Sequence, residues 1–506
     1  MWLNRQGTRP RKAQRKSQMN DHALFTALRL FWFFLYPAGL LLCFRLWKRT
    51  MAEAAAAALV TTLLLVCLFQ QAALVLPLPG ISFLPEAGGI GALFLVWKYR
   101  KGAARILGDL KNFLPRRHPV IMVLFAACWG YMGARAFFFA SHPPHLQVFD
   151  TISRAAGTGL LPPNAVIISG HFLQSGSALG AGLPGFFAYT SLLFSTYALS
   201  RRYAWVPVAA TVTAVVAAMP WFIFQAVTPG FEIIPAAVAL FFLLLVYRLI
   251  ETPGPIDFCL ALSCLGFLFS HGSGAFVLSM VLTALFCLLM VRRHGFSPIK
   301  TGRHHWKTLI LSLLPALFFS RLWTGTPAVF GGVGKNSEGL AGAAANFLAY
   351  VISSLDAPFL LDLAGADQAA SKGLLDFLEK TYFSAAALFF TPDSAVPAFD
   401  LSWYRGEGPA WFGPLAFFLV QPAVAVAMIR GPRRLKAVAV ALVAYVYLVC
   451  LIPGWHPGNV RFFSFFYALA GFLTAFLLPP WRLGRRAKRG LQIICLLVLV
   501  HSCLAL

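Results

Sequence analysis

The stretch EIIPAAVALFFLLLVYR, from Glu232 to Arg248, has a carboxylate at one end, a guanidinium at the other and no charge between them. Coiled as a helix it offers no polar face, so protein or lipid must surround it. A helix rises 1.5 Å per residue and needs about 20 apolar residues to cross ~30 Å of hydrocarbon. Runs of this kind recur near 24–46, 54–76, 82–97, 119–140, 184–200, 204–227, 232–248, 256–270, 273–291, 308–324, 409–429, 436–453, 461–479 and 490–506. The whole chain agrees. Of its 506 residues 59% are hydrophobic and only 12% charged, whereas soluble domains lie nearer half and a quarter. A soluble enzyme, a disordered chain and a disulfide scaffold are excluded. The expected fold is all-α: a polytopic helical membrane protein of about 12–14 transmembrane helices.

The net charge of +25 invites a nucleic-acid reading. A nucleic-acid binder gathers its basic residues on one face, whereas here they punctuate the apolar runs. The loops 98–117, 201–202, 292–307, 430–436 and 482–489, with Arg248, hold 24 of the 42 Lys and Arg, and all fall on one side. Positive-inside sorting makes that side cytoplasmic. The start is less regular. The tail to Lys16 and the turn Arg45–Arg49 are both basic, so 22–46 either crosses, lies along the interface or forms a shallow hairpin. Residues 1–20 are too polar for a secretory signal. The nine cysteines sit in apolar runs without a CxxC pair, as small packing residues do.

Two long loops, 141–183 and 325–408, face the other way. Leu340–Leu363 and Leu374–Phe390 in the second have helix-like apolar spacing, so external amphipathic helices are expected there. Carboxylates are scarce, and twelve of the 17 map to this face, among external Arg and Lys. Acids beside bases at a lipid boundary suit chemistry on a lipid-linked anion, where cations hold phosphate and a carboxylate takes a proton.

Five short stretches, all on that face, have a familiar order: Phe149–Arg154 with Gly157–Leu160, Gly182-Leu183-Pro184-Gly185, Gln225–Glu232, Ser270–Gly274, and the pair Trp411–Leu415 and Asn459–Phe463. In this order the region 119–480 resembles the GT-C class of integral-membrane glycosyltransferases, in particular the bacterial protein-mannosyltransferase-like and lipid A sugar transferases. Relatives often carry Asp where this chain has Glu232, and Lys-Gly where it has His271. The resemblance implies transfer of a hexose or pentose from a polyprenyl-phosphate donor to a glycan, lipid or protein acceptor, with inversion, on the non-cytoplasmic side of a bacterial inner membrane. It implies Asp150 as general base, Glu232 as a second acid, and Arg461 and His271 on phosphate.

Each of these residues has a plainer reading. Asp150 suits a helix cap, and Arg154, one turn on, suits an ion pair with it or a substrate contact. Glu232 complements the N-terminus of its own helix. His271 fits an interfacial turn, while Arg321 and Arg461 are cations on the face that positive-inside sorting avoids. Tyr404 and Arg405 form a polar-aromatic patch suited to a sugar or to an interfacial belt. The acids would admit Mg²⁺ or Mn²⁺, but no DxD or HExxH is present, so metal dependence stays open. No GxGxxG or GxxxxGK[ST] supports a nucleotide.

The expected organisation is a basic tail with extra membrane segments (1–118), a catalytic membrane core (119–480), and a basic loop with a last helix (481–506). Two other readings stay open. An O-antigen ligase or polymerase would rely on Arg and His in its long loop, yet 325–408 has no His. A lipid-linked-substrate flippase would need broken helices and mid-membrane polar groups, and Arg135 is one of few charges within a span.

Overall fold

In the computed structural model the chain is described over most of 30–45 and over 49–75, 84–100, 119–138, 180–228, 232–271, 273–294, 313–317, 338–355, 368–390, 412–452, 461–478 and 485–505, with isolated positions such as Asn164 between them. The described residues are helical and contain no strand. The helices are α1 (Phe33–Arg45), α2 (Met51–Val75), α3 (Leu84–Lys98), α4 (Pro119–Phe138), α5 (Leu183–Ser200), α6 (Val206–Ala217), α7 (Pro220–Val227), α8 (Ile233–Glu251), α9 (Pro255–Phe269) and α10 (Ser273–His294). Then come α11 (Gly339–Ser354), α12 (Gln368–Ala386), α13 (Gln421–Arg430), α14 (Arg433–Leu451), α15 (Phe463–Ala470), α16 (Thr474–Leu477) and α17 (Arg485–Ala505).

The chain is a multi-pass helical membrane protein. Among the described residues four helices are long and apolar enough to cross a membrane: Met51–Ala72, Ile233–Glu251, Gly274–His294 and Arg433–Leu451. A fifth crossing arises if α6 and α7 are one span, bent by 68°. Most other expected spans appear as shorter apolar helices of 10–17 residues. The run 204–227 therefore breaks where a single helix was expected. The break falls at Pro220, which has no N–H to give and whose ring crowds the preceding turn.

The stretch Glu232–Arg248 becomes the central post. Helix α8 is buried on every side and packs against α2, α5, α9, α10 and α15. An all-round apolar helix is stable there because its neighbours, and not water, take up its surface. Helix α1 does not lie along one face. Its Phe33 stacks on Phe187 of α5 at 4.6 Å, while Arg45 at its other end donates to the Arg49 carbonyl at 2.8 Å. The described part, Phe33–Arg45, is a shorter apolar helix, not one of the four long enough to cross a membrane.

The ends of α2, α5, α8 and α9 meet in a buried ionic layer. Arg49 pairs with Asp257, and Arg248 bridges Asp257 (3.1 Å) and Glu53 (3.0 Å). Arg202 holds Glu53 at 2.8 Å and also pairs with Glu251. Thr50 and Glu53 also form a reciprocal capping box: each side chain takes the other's backbone N–H, at 3.1 and 3.3 Å. Burial pushes the Arg49 guanidinium down to about 10, with Asp257 opposing the shift, so it stays charged at neutral pH. Arg202 and Arg248, far apart in sequence, thereby share one face with Arg434.

At the opposite face, α11 packs on the end of α14, where Asn346 donates to the Cys450 carbonyl at 2.9 Å. Tyr382 and Leu378 of α12 pack with Ala345 and Ala349 of α11, leaving Phe377, Phe383 and Leu388 exposed. These are the two amphipathic helices the loop 325–408 was expected to carry.

Removing Asp257 strands Arg49 in the interior. Asp257→Ala is expected to cost about 3–5 kcal/mol, whereas Glu251→Ala, at a half-exposed pair, should cost less than about 1 kcal/mol. Thermal denaturation of the two purified variants in detergent compares them directly.

Candidate functional site

Glu232 stands at the N-cap of α8 but makes no side-chain cap to it. Its carboxylate is turned elsewhere. Oε2 accepts from Gln225 Nε2 of α7 at 2.8 Å, and Oε1 lies 3.9 Å from Arg461 Nη1, just ahead of α15. The charge of Glu232 still complements the N-terminus of α8, but its side-chain partners come from other elements. The three residues join the ends of three helices.

Arg461 is held loosely. Its side chain is 48% exposed, its guanidinium lies 5.5 Å from the Phe462 ring, and its contact with Glu232 is longer than a hydrogen bond. A cation in this state keeps donors for another anion. Gln225, by contrast, is 1% exposed.

The surrounding backbone is brought in by residues with little bulk. Gly185 of α5 packs so tightly on α7 that a Cβ would sit 2.5 Å from the Gln225 carbonyl oxygen. Trp221 Nε1 donates to Ser464 Oγ at 2.9 Å, fastening α7 to α15, and Tyr445 donates to the Phe462 carbonyl at 3.0 Å. Gly413 has φ +77°, a left-handed conformation that suits glycine, and lies against Pro220. That turn sets the Phe412 ring 4.4 Å from Tyr467 and 6.0 Å from Phe222.

The turn between α9 and α10 is built by a hub the sequence did not reveal. Asn164, fully buried, donates to Ser270 Oγ at 2.7 Å and to the Phe267 carbonyl at 3.2 Å, and accepts from Gln71 of α2. Ser270 in turn donates to the Phe319 carbonyl at 2.7 Å. His271 follows, half-buried and stacked on Phe267 at 6.4 Å. Three residues on, Gly274 meets the ring of Phe462, the neighbour of Arg461.

Four of the quoted stretches thus converge: Gly182–Gly185, Gln225–Glu232, Ser270–Gly274, and the pair at 412–415 and 461–463. Of the site residues expected from sequence, Glu232 and Arg461 lie in contact, and His271 lies on the adjoining turn. Asp150, Arg154, Arg321, Tyr404 and Arg405 lie outside the described residues. Gln225 and Asn164 were missed as functional candidates, although a polar side chain in a buried apolar helix is the signal for Gln225. Among the described residues no three His, Cys, Asp or Glu gather as they would around a metal ion.

No family model matches the sequence. No curated protein matches it either. Among solved structures the chain is similar to ArnT from Cupriavidus metallidurans bound to undecaprenyl phosphate, at 13% identity and a TM-score of 0.42. The likeness covers 75% of this chain, which spans 63% of that one.

The tight approach at Gly185 predicts a sharp steric effect. Gly185→Val must displace α7 and with it Gln225, lowering stability by about 1–3 kcal/mol. A melting curve checks this, with Ala181→Gly, at a buried position just ahead of the same helix, as the milder comparison.

Proposed function

We propose that the protein is a GT-C-like membrane glycosyltransferase that moves a sugar from a polyprenyl-phosphate donor to a cell-envelope acceptor at the face opposite the basic loops. The observation that carries this reading is Arg461: a half-exposed cation on the face that positive-inside sorting avoids, 3.9 Å from Glu232. The convergence of four motif stretches around that pair supports it independently. The polyprenyl-phosphate donor follows from the sequence resemblance.

In this reading the acceptor hydroxyl attacks the anomeric carbon while the bond from that carbon to the phosphate oxygen breaks. Asp150 takes the hydroxyl proton. The phosphate leaves with its lipid, and Arg461 and His271 meet the charge it gains. Glu232 orients Arg461 and, with Gln225, walls the donor side. Arg154, Arg321, Tyr404 and Arg405 complete the substrate contacts, and a single attack from the opposite face inverts the anomeric centre.

One observation favours a second reading, a carrier of lipid-linked substrate: the 68° break between α6 and α7. Against it, the basic-face ends of α2, α5, α8 and α9 are pinned by the buried ionic layer. Opening that end would strand Arg49, Glu53 and Asp257.

Incubation with radiolabelled polyprenyl-phosphate sugars and membrane extract tests the transfer. Asp150→Asn should lower the rate by about 10²–10⁴-fold. Arg461→Ala should lower it by about 10–100-fold through lost phosphate contacts. A folded Asp150→Asn protein with full activity would refute the assignment.

A further inference from the structure

The ionic layer at the basic face is balanced: Arg49, Arg202 and Arg248 are matched by Glu53, Asp257 and Glu251. One guanidinium is left over beside it. Arg434, in the first turn of α14, lies 4.0 Å from Glu251 Oε1, the same oxygen that Arg202 Nη1 already holds. That separation is too long for a hydrogen bond, and Arg434 meets no other carboxylate among the described residues. The side chains of Arg434 and Glu251 are 41% and 44% exposed, so the pair is open to its surroundings. Arg201, on the turn that carries Arg202, is exposed too, and it donates to the Ala204 carbonyl at 2.6 Å.

Positive-inside sorting explains why these positions are basic. It does not explain why a second arginine turns onto a carboxylate oxygen that a first has taken. Two guanidiniums carry more N–H groups than one carboxylate accepts, and the excess suits a second anion.

The surroundings define that anion. Exposed apolar side chains run up to the basic residues on two elements. Trp205 and Val206 follow Arg201 and Arg202, and Met428 and Ile429 precede Arg430 in the turn to α14. Such side chains belong in hydrocarbon, which sets the arginines at headgroup depth. On the bundle side the Tyr247 ring backs Arg202 at 5.7 Å, and Tyr203 donates to the Tyr247 hydroxyl at 2.7 Å. A phosphodiester headgroup with net negative charge fits this place. A zwitterionic headgroup brings a cation of its own, which Arg201 and Arg434 repel.

We propose that Arg434 and Arg202, with Arg201 beside them, hold the phosphate of an anionic phospholipid in the leaflet at the basic face. Glu251 competes within the site, since it occupies Arg202 and repels the phosphate. The site lies at the face opposite Arg461 and does not depend on the transfer reading.

The test titrates the purified full chain in neutral detergent with phosphatidylglycerol, phosphatidylcholine or undecaprenyl phosphate and counts bound lipids by native mass spectrometry. Phosphatidylglycerol should bind more tightly than phosphatidylcholine. Arg434→Gln should weaken phosphatidylglycerol about fivefold, the worth of one basic residue at an anionic headgroup. Arg100→Gln, which removes an exposed cation beside Trp97 at the end of α3, should change it by less than about twofold. Glu251→Gln should strengthen it about two- to fivefold, and this opposite sign decides the matter if Arg434→Gln does not fold. Equal losses in Arg434→Gln and Arg100→Gln would mean diffuse attraction and overturn the site. So would weaker binding in Glu251→Gln, or a dependence on Arg434 shown by undecaprenyl phosphate and not by phosphatidylglycerol.

Discussion

Charges taken out of water must be paired, and this bundle meets that requirement with one ionic layer. Arg49, Glu53, Arg202, Arg248 and Asp257 come from three separate regions of the chain, and each side chain answers at least one opposite charge. Such a layer adds little stability over a well-packed apolar one, but losing any member is costly. It therefore acts as a register. Helix α8 has no polar face to tell its neighbours which depth is correct, and Arg248 near its end supplies that information. With the basic-face ends fixed, the far ends of α5, α7, α8 and α15 are set as well.

The opposite face uses charge differently. Glu232 and Arg461 meet there, but loosely, with Arg461 half in solvent and Glu232 facing Gln225 and Arg461 without a side-chain cap to its own helix. A closed pair with short contacts would have no capacity for a ligand. Here one partner is anchored to the bundle through Gln225, and the other reaches outward with donors to spare. Polar side chains provide the remaining order: Asn164 fixes the His271 turn, and Trp221 ties α7 to α15. The rigidity around this pair comes from these neutral contacts, while the charges stay available.

Much of this was legible from sequence, for a definite reason. The run 232–248 became Ile233–Glu251 because uniform apolarity admits one environment and one period. The acid and the base that bound it, Glu232 and Arg248, lie at opposite ends of that helix and pair with different neighbours. The helix break at Pro220 was visible as a residue but hidden by the apolar run around it. The ionic layer was not legible, since Arg49 and Asp257 are 208 positions apart and no local pattern links them. Asn164 escaped for the same reason, its partners Gln71 and Ser270 lying 93 and 106 positions away. Arg461 stands out by its sign on the face that positive-inside sorting avoids, and Glu232 by its place in the motif order, signals that survive without knowledge of contacts. What they touch, and that Gln225 holds Glu232, required the fold.

The central claim is that a lipid phosphate docks at Arg461, on the face opposite the ionic layer. A cryo-electron microscopy structure of the full chain with undecaprenyl phosphate tests it most directly. The account predicts phosphate density within hydrogen-bonding distance of the Arg461 guanidinium, next to the Glu232 carboxylate. Density instead beside Arg202, Arg248 or Arg434, with Arg461 still turned to Glu232 alone, would contradict it.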